Sequence, residues 1–149
     1  MAVFVINEWL WADSSGENGL QAQGEALKVI TRLAASDHQI VVMEGSPFDQ
    51  KPLKLCKSTN PMILQVIGRD YMAGVRLSSD RCRILKPQDT VALPADLASA
   101  IKTDDHYLVQ SLLSVEGAIL VTTDRYLREA VGKAGLNCLF REEFLARYF

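Results

Sequence analysis

The chain has 149 residues, of which 48% are hydrophobic and 23% charged, and its formal net charge is −2. This length and composition are typical of a soluble globular protein, and we expect a single domain over residues 1–149 with a sizeable core. No uninterrupted apolar run approaches the roughly 20 residues that span a bilayer, so we expect no membrane association.

The three cysteines indicate a reducing compartment. Cys56, Cys82 and Cys138 lie far apart and form neither a CxxC pair nor a zinc-binding spacing. We therefore expect small buried thiols rather than a disulfide framework, which suits a cytoplasmic protein. The apolar start, MAVFVINEWLW, lacks a basic segment and a small-residue cleavage site, so it predicts a first strand rather than a signal peptide.

The first third of the chain predicts a strand, a helix and a second strand. Val3–Ile6 is an apolar run of strand length, and residues 18–35 carry an apolar stripe at helical spacing with Asn18 as a candidate cap. Ile40–Met43 predicts the second strand, which ends at Glu44-Gly45-Ser46-Pro47.

The remaining elements continue the alternation. Pro61 suits the first turn of the next helix, with Ser58 or Asn60 as its cap. The predicted elements in chain order are a helix over Met62–Ala73, a short strand or merely extended segment over Arg83–Leu85, one or two helical turns over Ala95–Ile101, a helix over Asp104–Val115, a strand over Ala118–Thr122, a helix over Arg125–Lys133, a strand over Asn137–Phe140 and a helix over Glu142–Arg147. This alternation predicts a three-layer α/β/α sandwich with a mainly parallel central sheet.

The middle of the chain is basic. Residues 51–86 hold eight Lys and Arg side chains against two Asp, whereas both flanks are acidic. Two interpretations stay open: a solvated surface helix with a loop, or a surface that contacts phosphates beside an acidic site. In the second interpretation the candidate RNA-binding residues are Lys51, Lys54, Lys57, Arg69 and Arg76.

Acidic side chains stand where such a fold would gather them. In open parallel sheets the functional site lies at the carboxyl ends of the strands. Four acidic residues occupy strand ends or the start of a helix that feeds a strand, and they are Glu8, Glu44, Asp104 and Asp124. A carboxylate cluster is a site for a divalent cation by hard–hard ligand preference, and the cation would supply the chemistry.

The segment from 103 to 145 carries three linked patterns. They are an Asp-rich helix start, a Gly followed by an apolar strand and Thr-x-Asp, and a strand followed by a helix with Glu-Phe-Leu. These stretches are Thr103–Leu108, Gly117–Asp124 and Leu139–Leu145. In these patterns the chain resembles the PIN-domain family of metal-dependent ribonucleases, which includes many bacterial toxin components.

The resemblance extends to the N-terminal half with one departure. The second acidic position of the family is similar to Glu44. At the first position the family has Asp, whereas this chain has Asn7 followed by Glu8. Neighbouring side chains of a regular strand point to opposite faces, so either the backbone turns and Glu8 reaches the site, or the site has lost a charge.

The resemblance implies a metal-dependent endoribonuclease that cleaves single-stranded RNA with Mg²⁺ or Mn²⁺. The catalytic residues would be Glu44, Asp104 and Asp124, with Glu8 as a further metal ligand. Further candidates are Asn7, Asp105 and Thr122. The resemblance also implies a toxin–antitoxin role, with a small antitoxin protein or a second copy of the chain as partner. The alternative is a catalytically weakened PIN-like scaffold for RNA or protein binding.

Each candidate also has a plainer interpretation. Asp124 and one of Asp104 or Asp105 suit helix N-caps, and Glu44 suits a solvated loop. His106 is either an acid or base or a residue of the first helical turn. Asp13 and Glu25 are expected as surface charges. A receiver-type signalling domain would carry a Lys on the last strand, which Asn137–Phe140 lacks, and the absence of GxGxxG and GxxxxGK[ST] gives no sign of an organic cofactor.

Overall fold

The computed structural model describes residues 1–149 and contains eight α-helices around one five-stranded sheet. All strand pairs are parallel. The strands are β1 (Val3–Ile6), β2 (Gln39–Met43), β3 (Cys82–Leu85), β4 (Ile119–Thr122) and β5 (Cys138–Phe140). The predicted three-layer α/β sandwich with a parallel central sheet is therefore confirmed.

The helices cover both faces of this sheet. They are α1 (Trp9–Ser14), α2 (Leu20–Ala35), α3 (Pro47–Cys56), α4 (Met62–Tyr71), α5 (Ala95–Ala100), α6 (His106–Ser114), α7 (Arg125–Lys133) and α8 (Arg141–Tyr148). A π-helical turn, Met72–Arg76, extends α4, and a 3₁₀ turn, Thr103–Asp105, leads into α6. None of the helices is long and apolar enough to cross a membrane.

The strand order β3-β2-β1-β4-β5 puts β1 at the centre. Phe4, Val5 and Ile6 are almost fully buried, as expected for a strand covered on both faces. The chain builds β2 and β3 on one side of β1 and then crosses to build β4 and β5 on the other. The order therefore reverses between β1 and β4, and in open parallel sheets ligands bind outside the carboxyl ends at this point.

Two hydrophobic cores separate the layers. The first packs α1, α2, α3, α4 and α8 against one face of the sheet, and the second packs α5, α6 and α7 against the other. Trp11 belongs to the first core, where its ring meets Tyr71 edge to face at 4.6 Å. Tyr71 is fully buried, so it offers no surface on which a base could stack.

Helices α1 and α3 were not predicted from the sequence. Helix α3 starts with a recognisable signal, because the Ser46 hydroxyl accepts a bond from the Asp49 N–H and Pro47 occupies the first turn. Pro52 inside the helix obscures that signal. Two predicted caps were also wrong: Gly19 rather than Asn18 precedes α2, and Pro61 precedes α4.

Candidate functional site

The carboxyl ends of β1 and β4 are joined by one buried hydroxyl. Thr122 Oγ1 accepts from the Asn7 side-chain amide at 3.0 Å and from the Asp124 backbone N–H at 3.0 Å. The Asn7 backbone N–H donates to the Val121 carbonyl at 3.0 Å and extends the ladder by one residue. Thr122 therefore fixes the two chain segments that carry the acidic residues, which accounts for a Thr at the last position of β4.

Glu8 lies outside the regular strand. Strand β1 ends at Ile6, and Glu8 has helical φ and ψ of −66° and −5° as the cap of α1. The alternation of a strand therefore does not apply to it. Its carboxylate pairs with the Lys51 ammonium at 2.8 Å and contributes to raising the pKa of Asp105.

Asp105 is the half-buried member of the Asp pair, whereas Asp104 is exposed. Burial raises the pKa of the Asp105 carboxyl, and the charges of Asp124 and Glu8 raise it further, followed by Asp104. The shift indicates that Glu8 and Asp124 are close enough to Asp105 for their charges to act on it. Of the two candidates left open by the sequence, Asp105 thus lies in the field of both strand-end carboxylates.

Asp124 caps α7. Its Oδ1 accepts from the backbone N–H groups of Tyr126 at 2.9 Å and Leu127 at 3.2 Å. The predicted N-cap is confirmed, and the cap uses one oxygen only. The second oxygen, Oδ2, is free to meet a ligand.

Tyr107 belongs to the same neighbourhood and was not singled out from the sequence. Its hydroxyl is buried and makes no hydrogen bond of ordinary geometry. Burial raises its pKa, and the charges of Glu8 and Asp105 add to the rise. The hydroxyl is close enough to the Glu8 carboxylate for that contact to add to its raised pKa, so it is a ready donor to Glu8.

Glu44 lies at the carboxyl end of β2, the strand beside β1. It follows β2, its backbone N–H donates to the Leu85 carbonyl at 2.8 Å, and its side chain is exposed. It is not among the charges that act on Asp105. The charges of Glu8 and Asp124 therefore act on Asp105, and Glu44 follows the neighbouring strand at the same edge of the sheet with its side chain exposed.

The oxygen atoms at this edge are of the kind that binds a hard cation, but they are not arranged around one point. Carboxylates, an amide and a hydroxyl are oxygen ligands of the kind that Mg²⁺ and Mn²⁺ prefer. No group of three or more His, Cys, Asp or Glu side chains is arranged to hold a metal ion. Glu8 is directed to Lys51, and one oxygen of Asp124 is used by its cap.

The predicted RNA-binding residues fall into two groups. Lys54, Lys57 and Arg69 are exposed on or beside α3 and α4. Arg76 is 13% exposed, and its guanidinium holds Asp49 by two bonds of 2.7 and 3.2 Å. Arg76 therefore ties the π-helical turn to α3, and it presents little surface to a nucleic acid.

His106 has a structural role. Its Nε2 lies 3.1 Å from the Ala98 carbonyl and 3.0 Å from the Ile101 carbonyl. A protonated Nε2 donates to both, which ties the end of α5 to the start of α6. Nε2 is therefore occupied by these two carbonyls and is not available for acid–base catalysis at the strand ends.

The expectation that Asp13 is a surface charge is wrong. Asp13 is only 3% exposed, and its Oδ2 accepts from Arg141 Nε at 2.7 Å. The same guanidinium donates from Nη2 to Glu25 at 2.5 Å and lowers the pKa of Glu25. Because Arg141 is 128 residues away from Asp13, no local pattern signals the pair.

Comparison with known proteins returned no relative. No protein-family model, no curated protein and no solved structure matches the chain.

Proposed function

We propose that this protein is a metal-dependent endoribonuclease that cleaves single-stranded RNA at the β1–β4 edge of the sheet. One observation carries the proposal: the charges of Glu8 and Asp124, which follow the two strands between which the strand order reverses, act on Asp105 from a third distant part of the chain and raise its pKa. A carboxyl group whose pKa is raised by burial and by neighbouring carboxylates, as that of Asp105 is, is typical of functional sites.

Glu8, Asp105 and the free oxygen of Asp124 would hold Mg²⁺ or Mn²⁺. The cation would acidify a bound water and stabilise charge on the scissile phosphate. The chain's own contribution is positioning. Thr122 fixes the Asn7 and Asp124 segments, and the Tyr107 hydroxyl stands ready to orient a carboxylate.

The basic face of α3 supports RNA as the substrate. Lys51 lies at the site itself. Lys54 is on the same helix, α3, and Lys57 directly follows its last residue. Arg69 on α4 adds a further exposed cation. Lys and Arg side chains beside an acidic metal site contact the phosphates that flank the one being cleaved.

The PIN-like pattern further supports a toxin whose partner is a small antitoxin protein or a second copy of this chain. Four large apolar side chains are exposed on α3 and α4, and such surfaces commonly bind proteins. They are Leu53, Met62, Ile63 and Val66.

A binding scaffold is the second candidate, because two features weaken the site. Asn7 replaces a carboxylate and its amide is engaged by Thr122. Glu8 is already neutralised by Lys51. A site with these features would bind RNA without cleaving it.

The deciding experiment is cleavage of a mixed-sequence single-stranded RNA with Mn²⁺ or Mg²⁺. We expect Asp105→Asn and Asp124→Asn to lose activity by about 100-fold or more. Asn preserves the helix cap at position 124, so that loss would report the charge and not the fold. Asp96→Asn, an exposed position on α5, is the matched control and should keep full activity.

Asp104→Asn separates the two members of the Asp pair, and we expect a smaller loss than for Asp105→Asn. The absence of cleavage with every divalent ion, from folded protein free of any partner, would overturn the nuclease proposal. RNA binding retained by that protein would support the scaffold.

A further inference from the structure

A cavity of about 710 Å³ opens beside the candidate site, between α1, α2 and the start of α8. Its volume lies in the range of small-molecule sites. Trp9 and Thr123 line it, and they are chain neighbours of Glu8 and Asp124. Since consecutive Cα atoms are about 3.8 Å apart, the backbone of Glu8 and Asp124 runs beside the cavity wall, although neither carboxylate lines the cavity.

The wall of the cavity is built around the Arg141 guanidinium. Asp13 and Glu25 hold the guanidinium from two directions, and its central carbon lies 5.4 Å from the centre of the Trp9 ring. Asp13 is in turn held by the Asn18 amide at 2.8 Å. The Arg141 side chain is only 12% exposed, so the guanidinium fixes the cavity wall and its carboxylates in place rather than offering a free face to a ligand.

The charge of the cavity selects against phosphate. Asp13, Glu25 and the exposed Glu142 outnumber the one cation, Arg141. Glu25 is partly exposed, and each of its oxygens carries one hydrogen bond, from Gln21 on Oε1 and from Arg141 on Oε2. A carboxylate oxygen accepts two bonds, so acceptor sites remain for a neutral ligand with N–H donors on its edge.

We propose that this cavity is a subsite for an RNA base that carries an exocyclic amino group, with guanine preferred. Guanine is planar and neutral, and its N1–H and N2–H₂ donate side by side to one carboxylate. Uracil offers a single N–H between two carbonyl oxygens, which would face the carboxylates unfavourably. The assignment rests on the proposed function, because the phosphate of the same strand would lie at the adjoining carboxylate site.

The test is binding of guanosine 5′-monophosphate and of uridine 5′-monophosphate in EDTA, followed by amide and side-chain NMR of the folded chain. The Trp9 indole N–H, which donates to the Val121 carbonyl at 3.1 Å, is a reporter inside the cavity wall. We expect the guanosine nucleotide to shift the Trp9 and Arg141 Nε–H signals and to bind about tenfold more tightly than the uridine nucleotide.

Ala22→Phe tests the location, because Ala22 lines the cavity at a half-buried position and the larger side chain would fill it. We expect it to weaken guanosine nucleotide binding by about tenfold or more. Ala35→Phe is the matched control, since it adds the same ring to an exposed position at the end of the same helix.

Three results would each overturn the proposal: no shift of either reporter at millimolar nucleotide, equal binding of the uridine nucleotide, or undiminished binding by folded Ala22→Phe. Since the titration contains no divalent cation, it is independent of cleavage. A chain that binds the guanosine nucleotide here but never cuts RNA would sink the nuclease proposal and leave the base subsite standing.

Discussion

Asp124 combines a helix cap with a candidate ligand, and substitutions separate the two. Asp124→Ala removes the acceptor of two backbone N–H groups and should lower the free energy of unfolding by about 1 kcal/mol. Asp124→Asn keeps the acceptor and should stay within about 0.5 kcal/mol of the wild type. Urea denaturation of both variants measures this. A large loss in Asp124→Asn would mean that the negative charge itself stabilises the fold.

Arg76 illustrates a basic residue whose role the sequence could not reveal. It forms a bidentate pair with Asp49 in which both side chains are largely buried. Arg76→Met leaves the Asp49 carboxylate without its cation, so we expect a loss of about 3 kcal/mol in the free energy of unfolding.

Lys57→Met is the matched control for Arg76→Met. Lys57 is exposed, so its removal should weaken RNA binding without lowering stability. Denaturant unfolding and a filter-binding titration, run on both variants, compare the two roles. Arg76→Met as stable as Lys57→Met would show that the buried pair contributes nothing.

At the level of elements, the sequence predicted those whose signals are local. Strand β1 and helix α7 were predicted with their observed bounds, because an apolar run defines the first and an Asp cap starts the second. Helix α1 was missed because it has only six residues, which is too few to show a helical period. Helix α3 was missed because Pro52 contradicts the cap signal that precedes it.

The candidate site likewise contains features with a local sequence signal and features without one. Placement of acidic residues after strands located the edge, since strand ends can be read from the sequence. The choice between Asp104 and Asp105 depends on how the 3₁₀ turn rotates into α6, which adjacent residues of one type do not encode. The Arg141 cluster depends on contacts between opposite ends of the chain, and no local pattern predicts them.

Close packing of α3 against α4 depends on Gly68. A Cβ at this position would lie 2.7 Å from the Cys56 backbone nitrogen, so Gly68→Ala forces the helices apart. We expect a loss of about 1–3 kcal/mol in the free energy of unfolding. Gly24→Ala, in α2 with open space around the added Cβ, should instead gain about 0.5–1 kcal/mol.

Chemical denaturation of the two alanine variants provides the comparison. A gain in both would mean that α3 and α4 move apart without cost. The opposite signs expected here would show that helix propensity decides at position 24 and helix contact at position 68.

At the scale of the whole molecule, the topology concentrates like charges. Strand order β3-β2-β1-β4-β5 brings Glu8, Asp105 and Asp124 to one edge, although 97 residues separate the first two. Lys51 is the cation that pairs with this group directly. An arrangement that lowers stability and persists in the fold is typical of a site kept for function.

The Asp105 charge lowers the free energy of unfolding, and this effect gives a pH-dependent prediction for Asp105→Asn. The folded state raises the pKa of Asp105 above its ordinary value of 3.8. In the pH window between the ordinary and the raised pKa, the folded chain therefore binds more protons than the unfolded chain. The free energy of unfolding therefore falls as pH rises through the window, and the full cost is present at neutral pH. Asp105 makes no side-chain cap bond, so Asn removes the charge without removing a cap.

In EDTA at about pH 7, we expect Asp105→Asn to melt at a higher temperature than the wild type, and the difference should shrink towards about pH 4. Asp96→Asn removes one negative charge from an exposed position outside the site, so its melting temperature should not differ from the wild type in this pH-dependent way. Added Mn²⁺ should stabilise the wild type more than Asp105→Asn, because a cation bound by the folded state alone shifts the unfolding equilibrium. Thermal melts at the two pH values decide the matter. If Asp105→Asn melts below the wild type at neutral pH in EDTA, the Asp105 charge stabilises the fold. The carboxylates would then not repel one another in a way that a bound cation could offset.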